Sequence, residues 1–339
     1  MPSSTEMTTE HRAAPKQFGF LSGVRYEHLV AGVGGGVVAT SILHPLDLLK
    51  IRFAVNDSKW QLNSSTRPTY RSTVISILRS EGVQGLYQGV TPNIVGAGAA
   101  WGFYFFFYNA AKSNLQGGNA QKQLSALSHL LAASSAGVLT LTMTNPIWVA
   151  KTRLCLQSGD KHKLAGKSDT KVYRGFTDAL VKIARHEGLR GLYSGFVPGL
   201  FGVSHGAVQF MAYEEMKNSY HNYYNQEITT KLGTMEYLSF AALSKLFAAL
   251  STYPYQVVRA RLQDTQNKYV SSRDCIGKIY KLEGWMGFYK GLTPNLIRVV
   301  PATMITFVVY ENLSYYLLRR KDSEKVVGIV NLSENNPKK

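Results

Sequence analysis

Cysteine is nearly absent from the 339-residue chain, which contains only Cys155 and Cys275. Two cysteines supply neither a disulfide framework nor the ligand set of a structural zinc site, so we interpret them as unpaired thiols in a reducing compartment. The sequence also lacks the H-E-x-x-H, G-x-S-x-G and phosphate-loop patterns of common enzyme classes. We therefore expect no catalytic site, no metal centre and no resident catalytic cofactor.

Acidic residues are few relative to basic ones. The 21 Asp and Glu are outnumbered by 38 Lys and Arg, which leaves a formal net charge of +17. Such an excess suits nucleic acid, an anionic membrane surface or an acidic solute. The basic residues are spread along the chain, and no zinc-finger, RNA-recognition or basic-zipper pattern occurs, so we expect no nucleic-acid partner. A soluble basic protein that binds nucleotides or nucleic acid is kept as an alternative class.

Long apolar runs are missing from both ends of the chain. Residues 1–23 are polar, so we interpret them as a flexible tail without an evident cleavable presequence. Residues 321–339 are interpreted as a polar C-terminal tail. Any organelle address is then expected to lie inside the chain.

Three copies of a unit of about one hundred residues fill the chain between these tails. The frames "HPLDLLKIR", "NPIWVAKTR" and "YPYQVVRAR" place Pro45, Pro146 and Pro254 at intervals of 101 and 108 residues. Each frame is followed by a Glu-Gly segment, "EGVQGLYQG", "EGLRGLYSG" and "EGWMGFYKG", and then by a Tyr-Asn or Tyr-Glu pair. We place the repeats at residues 24–118, 119–222 and 223–320.

Each repeat begins and ends with a mainly apolar stretch near the ~20 residues that a helix needs to cross a bilayer. A polar segment between the two carries a short amphipathic helix, such as "STVISILRSEG". The pattern predicts six spans. A soluble helical repeat protein is the alternative, but polar residues inside the spans favour a membrane bundle with a wet interior.

These repeated motifs resemble the signature of the mitochondrial carrier family. The resemblance implies an all-α membrane protein, with six transmembrane helices in three pseudo-threefold repeats and three short matrix helices. It further implies a functional monomer in the mitochondrial inner membrane, with alternating access to one central site. The segment "PIWVAKTR", with tryptophan two residues after the proline, resembles the branch of the family that transports folates, FAD, NAD and pyrimidine nucleotides. The expected substrate is a large planar anion, folate or FAD, and the alternatives are NAD or a pyrimidine nucleotide.

The resemblance also implies two gates. The three prolines are expected to kink their helices toward a matrix gate. That gate pairs the second residue after one proline with the fifth residue after the next, as Asp47–Lys151, Trp148–Arg259 and Gln256–Lys50. We expect one ion pair, one cation–π contact and one amide hydrogen bond. A stacking surface for the substrate ring is the alternative for Trp148.

The implied cytoplasmic gate consists of Asn109–Lys217, Glu214–Ser314 and Glu311–Lys112. The alternative is that these residues only cap helix ends. Gly89, Gly195 and Gly291 are expected to start helices whose free amides bind a cardiolipin headgroup, with plain turn glycines as the alternative.

Candidate substrate contacts lie between the gates. Lys245 is eleven residues before Gln256 and therefore shares its helix face; snorkelling toward an interface is the alternative. The family's contact level falls on Gly96, Gly202 and Arg298, where two glycines leave room for a ring system and Arg298 supplies a cation. Repeat two is one residue shorter after its glycine, which blurs the register there. We add two aromatic and two polar candidates, and lipid or core packing is the alternative for the aromatic pair: Trp101, Tyr104, His205 and Gln209.

Overall fold

A computed structural model describes residues 26–55, 69–117, 124–157, 172–225, 232–264 and 269–334. The predicted N-terminal tail therefore lies outside the described residues. All regular secondary structure in the described part of the chain is helical. The all-α fold class expected from the sequence is confirmed.

Each repeat contributes a long helix that contains the framed proline, a short helix and a second long helix. We call these the proline helices, the short helices and the second helices. The second helix of repeat two is broken into two pieces, and a 3₁₀ turn, Trp285–Tyr289, precedes the last helix. In chain order the helices are α1 (Tyr26–Val55), α2 (Tyr70–Gly85), α3 (Val90–Gln116), α4 (Ala126–Leu156), α5 (Phe176–Leu192), α6 (Phe196–Phe201), α7 (Ser204–Tyr223), α8 (Thr234–Gln263), α9 (Ser272–Glu283) and α10 (Leu292–Glu334).

The extent and hydropathy of the helices bear on the predicted C-terminal tail and on the predicted spans. Helix α10 continues to Glu334, so helix extends well into the segment we interpreted as a C-terminal tail. By length and composition, three described segments qualify as spans: Ala31–Val55, Leu127–Leu156 and Trp285–Leu317.

The six long helices form a ring of three close pairs. In each pair the second helix of one repeat packs against the proline helix of the next: α3 with α4, α7 with α8, and α10 with α1. The last pair closes the ring, and it depends on glycine. A Cβ on Gly35 would lie 2.8 Å from the carbonyl oxygen of Thr306, so only glycine permits this approach of the two backbones.

The prolines lie inside continuous helices, and the residue before each one ties its helix to its own repeat. His44 donates from Nε2 to the carbonyl of Gln88 at 2.9 Å. Asn145 donates to the carbonyl of Leu192 at 2.9 Å, and the Tyr253 hydroxyl donates to that of Lys290 at 3.1 Å. All three side chains are fully buried. Three different residue types therefore hold the segment that leads into each second helix. The expected kinks stay a prediction.

The glycines at the starts of the second helices are required for two reasons. Gly89, Gly195 and Gly291 have φ values of +81°, +71° and +83°, a region that side-chain-bearing residues rarely adopt. A Cβ at Gly291 would also lie 2.5 Å from the carbonyl oxygen of Lys50, and one at Gly195 would lie 2.9 Å from that of Arg259. Each glycine therefore lets a second helix begin against a proline helix of the neighbouring repeat, which confirms that these glycines start helices.

The one-residue deficit of repeat two is absorbed at the break between α6 and α7. From Gly195 to Tyr213 the chain advances 18 residues, whereas Gly89 to Tyr108 takes 19. Across the break the amides of Gly202, Val203 and His205 bond to carbonyls three residues back, at 2.9, 3.1 and 3.2 Å. Because such turns use about 3.0 residues rather than 3.6, a few of them recover the rotation of one missing residue.

Gly291→Ala is expected to lower the free energy of unfolding by about 1–3 kcal/mol, because a Cβ there meets both a strained φ and the Lys50 carbonyl. Gly98→Ala is the matched control, since a Cβ at that position has nothing within 4 Å and alanine favours the helix. Thermal unfolding of the purified protein in detergent compares the two. Equal stability of both variants would contradict the required close approach.

Candidate functional site

The three proline helices meet at one end of the bundle, which we call the proline end. Lys151 Nζ lies 3.6 Å from Asp47 Oδ2. Lys50 Nζ donates to Gln256 Oε1 at 2.8 Å and to Asn295 Oδ1 at the same distance. Two of the three predicted contacts are therefore present, and they join α1 to α4 and to α8.

The third predicted contact, between Trp148 and Arg259, is wrong for this conformation. The Trp148 ring lies 5.3 Å from the ammonium of Lys151 on its own helix. Arg259 instead donates from Nη2 to Asn145 Oδ1 at 3.2 Å. Trp148 therefore does make a cation–π contact, but its cationic partner is Lys151, three residues along α4, rather than Arg259.

Two of the glycines predicted to contact the substrate, Gly96 and Gly202, each lie against an aromatic side chain of a proline helix. A Cβ on Gly96 would lie 3.3 Å from the Trp148 ring, and one on Gly202 would lie 2.9 Å from the Tyr255 hydroxyl. The room that these glycines leave is filled by side chains of the adjacent proline helices. Our expectation that the room is free for a substrate ring is therefore wrong at both positions in this conformation.

Arg298 is likewise not the free cation that the sequence led us to expect. Its Nη1 lies 2.9 Å from both carboxylate oxygens of Asp47. Asn93 donates to the same carboxylate at 3.0 Å. Asp47 is 3% exposed, so this buried charge is compensated from α3, α4 and α10 together.

Three arginine–glutamate pairs that we did not single out from the sequence also close the proline end. They join Arg52 to Glu81, Arg153 to Glu187 and Arg261 to Glu283, with shortest distances of 3.1, 2.5 and 2.7 Å. Each pair is bidentate and links a proline helix to the short helix of its own repeat. The sequence contains a signal for these pairs, because each arginine lies seven residues after a framed proline and each glutamate is the first residue of a Glu-Gly segment.

The same arginines cross to the next repeat. Their Nε atoms donate to the carbonyls of Cys155, Gln263 and Ala54, at 2.9, 3.2 and 2.9 Å. These three acceptors occupy one position in the repeat, nine residues after each proline. We call the three pairs with their crossing bonds the arginine ties. Because each tie leads to the following repeat, together they form a closed cycle around the proline end.

The opposite end is not bridged in this way. Among the described residues, no hydrogen bond or ion pair joins the predicted partners Asn109–Lys217, Glu214–Ser314 or Glu311–Lys112. Lys217 lies 4.0 Å from Glu214 of its own helix, and the buried Ser314 hydroxyl has no partner. The predicted cytoplasmic gate is therefore not formed in this conformation.

A cavity of about 480 Å³ lies above the proline end. Its acidic and basic lining residues comprise one carboxylate, that of Asp47, five cations and His205. His205 bonds through Nδ1 to Thr252 Oγ1 at 2.8 Å, and Lys245 donates to Thr303 Oγ1 at 3.3 Å. The five cations are Lys50, Lys151, Lys245, Arg259 and Arg298.

Five predicted contacts are not among the residues that line this cavity: Gly96, Trp101, Tyr104, Gly202 and Gln209. The Trp101 side chain is 65% exposed and stacks on Phe105 with ring centroids 5.7 Å apart. Tyr104 stacks on Tyr108 at 6.1 Å. The packing alternative describes Trp101 better than substrate stacking does, since its ring lies among other exposed aromatic rings. Within the described ranges, no group of three or more His, Cys, Asp or Glu side chains could hold a metal ion.

Comparison with known proteins accounts for the threefold architecture. A family described as mitochondrial carrier protein matches residues 24–119, 122–224 and 230–321. The chain belongs to the mitochondrial carrier family. Members of this family are transporters, and membership sets aside the alternative of a soluble basic protein.

Individual relatives are named for the transport of different cofactors. The chain is 41% identical to the chloroplastic folate transporter 1 of Arabidopsis thaliana over 85% of this chain and 94% of that protein. It is 37% identical to the chloroplastic nicotinamide adenine dinucleotide transporter 1 of the same plant, over 87% and 93%. It is 33% identical to the mitochondrial FAD carrier protein of Saccharomyces cerevisiae, over 86% and 97%.

Glu283→Gln is expected to destabilise the carrier by about 3–5 kcal/mol, because it leaves the buried Arg261 without its carboxylate. The matched control on the same helix is Asp274→Asn. It removes an exposed pair with Lys278, so about 0–1 kcal/mol is expected. Thermal unfolding at pH 7 measures both, and a similar loss in the two variants would contradict the role assigned to the ties.

Acidification should reduce the difference in unfolding midpoint between the unaltered carrier and the Glu283→Gln variant. Burial alone would raise the pKa of Glu283, but hydrogen bonds from Arg261 and Lys290 outweigh it and lower the pKa below its usual value. A carboxylate with a lowered folded-state pKa contributes stability that is fully present above its unfolded pKa of about 4.3 and is lost as the pH falls through the folded-state value. Unfolding midpoints measured from pH 7 to pH 3 should converge only below about pH 4.3. Convergence already near neutral pH would contradict this assignment.

Proposed function

We propose that this carrier moves a large planar anionic cofactor, folate or FAD, across the mitochondrial inner membrane by alternating access. The observation that carries the proposal is the charge of the central cavity. Five cations against one carboxylate give its lining a formal charge of 5 − 1 = +4, with His205 neutral. Buried cations in such excess are costly unless an anion compensates them, so the lining favours a multiply charged anionic solute.

The shape and lining of the cavity support a ring-bearing substrate. Its volume lies within the range of small-molecule sites. Trp148, Tyr253 and Tyr255 contribute aromatic surface to the lining, and planar rings stack on such faces. The relatives named for folate and FAD agree with this chemistry. The relatives named for NAD make an NAD carrier the principal alternative, with pyrimidine nucleotides as the second.

Alternating access assigns roles to the two ends. We assign the proline end to the matrix side by resemblance to the family, so this conformation would receive substrate from the cytosol. Opening toward the matrix requires the contacts of Asp47 and Lys50 to separate. The pairs Asn109–Lys217, Glu214–Ser314 and Glu311–Lys112 would then approach and close the other end.

The lipid contacts belong to the same proposal. Gly89, Gly195 and Gly291 precede helix N-termini at the proline end, where free amides favour a phosphate group. We assign cardiolipin headgroups to these three positions. Because the ring of helix pairs closes within one chain, we propose that a monomer is the functional unit.

Uptake by reconstituted liposomes decides among the substrates. Labelled 5-formyltetrahydrofolate, FAD, NAD and UTP are offered one at a time, with protein-free liposomes as the blank. We expect uptake of 5-formyltetrahydrofolate or FAD. Uptake of NAD or UTP alone would move the assignment to the corresponding alternative, and uptake of none of the four would refute the proposal.

Lys245→Ala is expected to reduce uptake by more than about tenfold, because removal of a desolvated partner of an anion typically costs about 2–5 kcal/mol. Lys278→Ala removes an equal charge from the exposed surface of α9 and should leave uptake unchanged. The melting temperature in detergent confirms that both variants are folded. Near-normal uptake by folded Lys245→Ala would show that Lys245 does not bind the substrate.

A further inference from the structure

The fourth residue after each helix-starting glycine occupies one position of the repeat. The segments "GVTPN", "GFVPG" and "GLTPN" lead from those glycines to Asn93, Gly199 and Asn295. All three residues are buried, and their helices pack against the proline helix of the next repeat in cyclic order. Repeats one and three therefore carry an amide side chain at a junction where repeat two carries none.

The two asparagines each support a charge at the level of the predicted matrix-gate pairs, which we call the gate level. Asn295 Oδ1 accepts a hydrogen bond from Lys50 Nζ at 2.8 Å. Asn93 Nδ2 donates to Asp47 Oδ2 at 3.0 Å, the same oxygen that Lys151 Nζ approaches to 3.6 Å. At both junctions, the amide thus stabilises a charged group that joins two proline helices.

Repeat two differs because Gly199 has no side chain to offer. A Cβ on Gly199 would lie 3.5 Å from Cζ of Arg259, so the guanidinium lies beside the space that an asparagine would fill. Arg259 instead donates to Asn145 Oδ1, and the fully buried Asn145 donates in turn to the Leu192 carbonyl. Asn145 is three residues before Trp148, so the guanidinium is bound about one helical turn away from its predicted gate partner.

We propose that Gly199 is a positioning residue that keeps Arg259 out of the gate and thereby lowers the cost of opening the closed end. The other two junctions have their predicted gate contacts in this conformation. An amide at position 199 would give Arg259 a partner at the gate level, as Asn295 does for Lys50. The proposal rests on the proposed function only for the transport cycle in which this end opens.

Close packing is the competing explanation for a glycine at this position. A Cβ on Gly199 would lie 3.2 and 3.3 Å from the two terminal methyl groups of Leu141, so any side chain must displace them slightly. Alanine and asparagine introduce the same Cβ, but only asparagine adds an amide. Comparison of Gly199→Ala with Gly199→Asn therefore separates the steric effect from the positioning effect.

Melting temperature in detergent without ligand tests whether the amide holds Arg259. Gly199→Asn should melt a few degrees higher than Gly199→Ala, because a buried hydrogen bond to a charged group is gained. The comparison is strict, since alanine favours a helix interior more than asparagine does. Equal melting temperatures, or a lower one for Gly199→Asn, would overturn the proposal.

An Arg259→Gln background tests the identity of the partner. There the advantage of asparagine over alanine at position 199 should disappear, because the guanidinium that the amide binds is no longer present. An advantage of the same size in both backgrounds would show that the amide binds another group. That outcome would contradict the assigned role of Gly199.

Uptake by reconstituted liposomes tests the effect on opening, with 5-formyltetrahydrofolate, FAD, NAD and UTP offered separately. The maximal rate for Gly199→Asn should be about tenfold below that for Gly199→Ala, because an added bond must break before the closed end opens. The half-saturating concentration should be similar in the two variants. A higher half-saturating concentration with an equal maximal rate would place position 199 in substrate binding and overturn the proposal. If the unaltered carrier takes up none of the four, the proposed function fails, whereas the melting temperatures still decide the positioning of Arg259.

Asn295→Gly covers the case in which the variants at position 199 do not fold. It places at the junction of repeats three and one the residue that repeat two already has, and it removes one of the two amides bound to Lys50. We expect a lower melting temperature but a higher maximal rate of uptake. The matched control is Asn312→Gly, an exposed position on the same helix, which should lower the melting temperature without raising the rate. An equal or lower rate for folded Asn295→Gly would refute the view that an amide at this position opposes opening.

Discussion

Buried charge at the proline end is the constraint on which the rest of the structure depends. An ion taken out of water must be paired and hydrogen-bonded, because its desolvation otherwise costs several kcal/mol. The three arginine ties meet this requirement identically in every repeat: one glutamate in the same repeat and one carbonyl in the next. The ties therefore neutralise the arginines and, by the same bonds, close the three repeats into a ring.

The level above the ties is where the repeats diverge. One position holds an aspartate with two cationic partners, the next a tryptophan over Gly96, and the third a glutamine bonded to Lys50. Under the proposed transport cycle, a gate with a single carboxylate would open at a lower cost than three full ion pairs. It would also leave most of the cavity cations available to an anionic solute. The identical ties maintain the architecture in all three repeats, and the varied level is the part that we propose is adapted to the substrate.

Glycine determines how closely the repeats approach. Gly89, Gly195 and Gly291 admit a neighbouring proline helix to the start of each second helix, and Gly35 on α1 admits the backbone of α10 in the pair that closes the ring. Gly96 and Gly202 instead admit an aromatic ring from the next repeat. Close packing of the bundle therefore depends on these glycines, because atoms of an adjacent repeat occupy the space that a side chain would take at each position.

Much of the fold was predictable from the sequence because it depends on local rules repeated three times. The framed prolines, the Glu-Gly segments and the helix-starting glycines repeat at nearly constant spacing, so the helices, the repeats and two of the gate contacts could be predicted. The partners of Trp148, Arg259 and Arg298 could not. Each has several side chains of suitable chemistry within reach, and the choice depends on angstrom-scale positions of helices from different repeats. Spacing along one helix determines which face a residue occupies, but only the packing of three repeats determines which charge it meets.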